Sequence, residues 1–131
     1  MSDKLVSNAQ FLSFVRDGGY EKQEYWSSEG WNWATGQIEK FPKFWIKKEK
    51  DDFALRLTFS EMKDLPWDWP VEINCLEASA YCRWLSAKLG QAVRLPTEDE
   101  YYSMLKYAGY DETTAFNIGA RYTSPTPVDK H

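Results

Sequence analysis

Histidine is nearly missing from this chain and cysteine is scarce. Its 131 residues contain one histidine, His131, and two cysteines, Cys75 and Cys82. Zinc and iron–sulfur centres draw on three or four convergent ligands of these types, which this inventory cannot supply from histidine and cysteine within one helix and one terminus. Runs of the roughly 18 apolar residues needed to cross a membrane do not occur. The opening "MSDKLVSNAQ" has no apolar h-region, so the expectation is a cytoplasmic protein with reduced thiols and no membrane partner. Basic residues are scattered apart from Lys47, Lys48 and Lys50, and the net charge is −4. No concentrated basic face points to nucleic acid. There is no P-loop, no Rossmann fingerprint and no G-x-S-x-G elbow.

What the chain has in excess is rings. Aromatic residues make up 17%, with seven Trp, eight Tyr and seven Phe, in a chain that is 43% apolar and 27% charged. That balance is globular, and 131 residues suit one domain with a core of its own. Large rigid side chains favour an irregular fold packed around rings.

Three helices are legible. "VSNAQFLSFVRDGGY" offers Ser7 as N-cap with Gln10 completing a capping box, Phe11, Phe14 and Val15 on one face, and Gly18-Gly19 as the stop. Asn74 caps a second helix with Glu77 at N3, and Gly90 ends it. Thr97 caps a third, with Glu100 at N3, reaching about Ala108 with a core stripe of Tyr101, Met104, Leu105 and Ala108. Residues 20–52 keep no period and read as a long ordered loop with a short strand at Phe44–Ile46. "FALRLTFS" alternates Phe53, Leu55, Leu57 and Phe59 against smaller or polar residues, which predicts a half-buried strand. "AVRL", residues 92–95, reads as another short strand, and the tail from Tyr110 reads as loop. The sum is an α+β domain spanning 1–131.

The second helix carries both cysteines. At 100° per residue Cys75, Ala78, Tyr81, Cys82, Leu85 and Leu89 share one stripe, predicted to face the core. Two turns separate the thiols by about 10 Å, beyond the roughly 7 Å a disulfide tolerates. Leu76, Ala80, Trp84 and Ala87 form a second apolar face, to be covered by the aromatic loop or by a partner. The acidic–aromatic stretches "EYWSSEGW" and "PWDWP" invite a sugar-binding reading, but a carboxylate pair acts only at a defined separation, and a structural role is preferred.

These stretches resemble one family. "VSNAQFLSFVRDGGY", "WPVEINCLEASAYCRWLSAKLG" and "VRLPTEDEYY" are similar to successive signatures of the formylglycine-generating enzyme/sulfatase-modifying factor domain. Within it, "GGYEKQEYWSSEGWNW", "FPKFWI", "PWDWPVEINCLEA" and "NIGARYTSPTPVD" are similar in order to the ovothiol-type sulfoxide synthases. The resemblance implies a C-type-lectin-like fold, partial here, because the family domain continues into a G-N-V-W-E-W-like segment. It implies iron(II) and O2 chemistry joining cysteine sulfur to histidine, with small amino-acid substrates. The iron ligands of that group sit in an H-x-x-x-H-x-E helical domain, which this chain lacks. No residue is therefore carried over as catalytic, cofactor-binding or metal-ligating. The expected partners are the remainder of the domain or the iron-binding helical domain. A lectin-like binding module without chemistry, and a divergent formylglycine-generating oxidase of peptide cysteines, are the other readings.

Overall fold

A computed structural model describes residues 2, 4–109 and 124–129. Helix α1 spans Asn8–Arg16, and its capping box is formed, with Ser7 Oγ accepting from Gln10 N–H and Gln10 Oε1 accepting from Ser7 N–H. The two remaining first-turn donors are met from afar. Asn8 N–H donates to the Trp69 carbonyl at 2.8 Å and Ala9 N–H to the Trp67 carbonyl at 2.9 Å. Asn8 Nδ2 donates to the Pro66 carbonyl at 2.8 Å. The "PWDWP" stretch thus serves as a backbone cap for α1, satisfying groups every helix leaves open at its start.

Residues 20–52 hold more structure than a loop. Two short 3-10 turns, Gly19–Glu21 and Gln23–Tyr25, lead into α2, Ser28–Gly36, capped by Ser27. Lys40 Nζ closes its far end by donating to the carbonyls of Ala34 and Gln37, both at 2.8 Å. Three antiparallel strands follow in the order β1 (Trp45–Lys47), β2 (Phe53–Arg56) and β3 (Glu61–Met62). Ile46 stands opposite Ala54, and Leu55 opposite Met62. The expected strand at Phe44–Ile46 is therefore present, one residue later. Alternation through Phe59 is not: the chain turns where Leu57 N–H reaches the Ser60 carbonyl, leaving Phe59 98% exposed.

Helix α3, Cys75–Leu89, has its capping box at Asn74 and Glu77 and ends at Gly90 with φ +65°. Its inward face corrects the sequence expectation. Glu77, Ala80, Tyr81 and Trp84 are buried, whereas Cys75 and Leu89 are exposed and Cys82 and Leu85 are half-buried. The two-faced helix thus turns its Trp84 side inward, because α1 and the turns after it supply rings there. Phe14 lies 5.8 Å from Trp84 and 5.7 Å from Tyr20, and Phe11 stacks on Tyr81 at 5.4 Å. Phe11 also meets Trp45 edge-on, tying α1 to the sheet. The core is this ring cluster.

"AVRL" forms no strand. Val93 instead exchanges both backbone groups with Ser86 Oγ, at 2.8 and 3.0 Å. Helix α4, Glu98–Tyr107, starts at Thr97 as expected, with the Arg94–Glu100 ion pair beside its cap. Its intended core stripe is not covered among the described residues: Tyr101 and Ala108 are exposed, and Met104 and Leu105 half-buried. No described helix is long and apolar enough to cross a membrane.

Candidate functional site

Between the α2–β1 connection, the sheet and the start of α3 lies an open cleft of about 1140 Å³. Trp33, Phe41, Phe44 and Trp45 give it aromatic walls, Lys43, Lys47 and Arg56 its cations, and Glu39, Glu61 and Glu72 its acids. Asn74 and Glu77 bring the first turn of α3 to the same cleft.

Glu77 is the chemically unusual group. As the N3 residue of a capping box, one carboxylate oxygen, Oε2, accepts from Asn74 N–H at 2.8 Å. The other, Oε1, accepts a short hydrogen bond from the Tyr20 hydroxyl. Both side chains are buried. Burial pushes the Glu77 carboxyl above its ordinary range, against the two hydrogen bonds that favour its charged form. Burial, followed by the Glu77 charge, raises the Tyr20 phenol and keeps it a donor. Sequence reasoning placed Glu77 at its cap but missed Tyr20, which lies 57 residues away. The signal available was a ring-rich turn carrying one hydroxyl, which is insufficient to choose the partner.

A second polar junction joins the end of α1 to α3. Asp17 Oδ2 accepts from Trp84 Nε1 at 3.1 Å and from Lys88 Nζ at 2.7 Å. These bonds, that to Lys88 first, hold the Asp17 carboxyl below its usual range. Lys88 Nζ also sits 5.8 Å from the centre of the Trp84 ring. This junction ties the end of α1 to the last turns of α3.

Neither cysteine is placed for chemistry. Both are free thiols; Cys75 is exposed and the half-buried Cys82 is pushed up by burial, which favours the unreactive protonated form. Among the described residues, no three His, Cys, Asp and Glu side chains converge as a metal site, and His131 lies outside those residues. The iron implied by the resemblance therefore has no ligand set in the described part of the chain, and the cleft's acids do not fit it.

Comparison with known proteins identifies the family. A family model described as the sulfatase-modifying factor enzyme 1-like domain matches residues 1–130. The hercynine oxygenase of Mycobacterium tuberculosis is 30% identical over 127 residues, which is 96% of this chain and 27% of that protein. Those of Mycolicibacterium thermoresistibile and Mycolicibacterium smegmatis are 35% and 34% identical over 97 residues, 73% of this chain in each case. The chain spans 19% and 20% of their lengths, so it corresponds to a minor share of each of these relatives. A match over nearly the full chain decides the family: this chain belongs to the sulfatase-modifying factor enzyme 1-like domain family, with its C-type-lectin-like α+β fold, and is related through it to the hercynine oxygenases.

Proposed function

We propose that this chain is the sulfatase-modifying-factor portion of an iron(II)- and O2-dependent sulfoxide synthase of the ovothiol or hercynine type, working in a reducing cytoplasm. The observation that carries this reading is the 30% identity to a hercynine oxygenase over 127 residues, 96% of this chain. In the proposed reaction a thiol S–H and an imidazole C–H are replaced by a C–S bond and a sulfoxide oxygen. The second oxygen atom of O2 leaves as water, which accounts for both hydrogens and four electrons. Iron, held by ligands outside the described residues, supplies the O2 activation.

The described residues contribute support and shape. The capping boxes order the first turns of α1 and α3, and the cleft lies beside the start of α3. Taken alone, this segment is non-catalytic, and its partner is the polypeptide that carries the H-x-x-x-H-x-E ligands, in the same chain or another.

The test is an assay of the purified chain, alone and co-expressed with such a polypeptide encoded beside it. Each is supplied with iron(II), O2, cysteine, and either histidine or hercynine. Oxygen uptake and the sulfoxide mass are expected for the pair and absent for the chain alone. Conversion of a peptide cysteine to formylglycine by the chain would replace this reading with the formylglycine-type one. Absence of product from every combination would leave a binding module without chemistry.

A further inference from the structure

We draw no further inference here: the strongest candidate, the exposed surface of α4 that bears Tyr101, Tyr102 and Tyr107, carries nothing because nothing in the structure shows what covers it.

Discussion

The Tyr20–Glu77 pair makes stability depend on pH in a window that can be isolated. Tyr20→Phe removes the hydroxyl that donates to Glu77 Oε1 and leaves that buried oxygen without its donor. The expected cost is about 1–3 kcal/mol, the range for stranding a buried polar partner. The sign of the pH effect follows from Glu77 itself. In the unfolded chain it ionises near its ordinary value of 4.5, whereas burial raises that value in the fold. Between the two values the unfolded chain has lost a proton that the folded chain retains. The Glu77 contribution is therefore complete below 4.5 and is lost as pH rises through the raised value. Tyr20→Phe removes a bond that lowers the Glu77 value, so the falling limb should move to still higher pH. Glu77→Gln should flatten it. Other shifted carboxylates do not confuse the measurement. Glu100, held down to about 2 by Arg94 and its cap, loses its contribution as pH falls through the acid range, and Asp17 does likewise. Urea midpoints followed by tryptophan emission at stepped pH provide the assay. A Glu77→Gln variant with the parent's slope above pH 4.5 would refute the reasoning.

Trp84→Ala should behave as a core truncation costing about 3–5 kcal/mol, since the ring is buried on Phe14 and Tyr81. Trp84→Phe keeps most of that area but loses the bond to Asp17, so a much smaller fall in the urea midpoint is expected, on the order of 1 kcal/mol. Gly19→Ala would set a Cβ 2.1 Å from the Phe14 ring; thermal denaturation should show a loss of about 3 kcal/mol from overpacking. Thr97→Ala should cost roughly 1 kcal/mol of helix stability. That cost should appear as faster amide exchange in α4 and not as a shift of the global midpoint, because no α4 residue is buried. Loading with iron(II) or copper(I), desalting and metal analysis should find no tightly held equivalent.

The caps show what was legible in the sequence. Ser7 with Gln10, Asn74 with Glu77 and Thr97 with Glu100 all form the reciprocal bonds that their spacing predicts. Each involves residues three apart, so no tertiary knowledge was required. Helix α2 was opaque for the opposite reason. "SEGWNWATG" has two glycines and no apolar period, and local propensity argues against a helix. It forms where Gly30 fits tightly: a Cβ there would lie 3.1 Å from Trp26 and 3.8 Å from the Leu76 side chain. Packing overrides propensity at that crossing.

The inward face of α3 was misjudged because pattern arguments count Glu as polar and Cys as apolar. Of the cysteine stripe only Tyr81 is buried, while the second face, which the sequence left to be covered by the aromatic loop or a partner, is buried at Ala80 and Trp84. The observed phase buries Trp84, Tyr81 and Ala80, and tolerates Glu77 because Tyr20 and the Asn74 backbone occupy both of its oxygens. A buried carboxyl is expensive without such partners and acceptable with them. The choice of face thus depended on one hydroxyl supplied by a distant turn. The same dependence connects the core to the cleft. Glu77 lines the cleft while accepting from Tyr20, and Tyr20 packs on Phe14 at the centre of the ring cluster. The charge state and position of the cleft wall at Glu77 are therefore set by the core behind it.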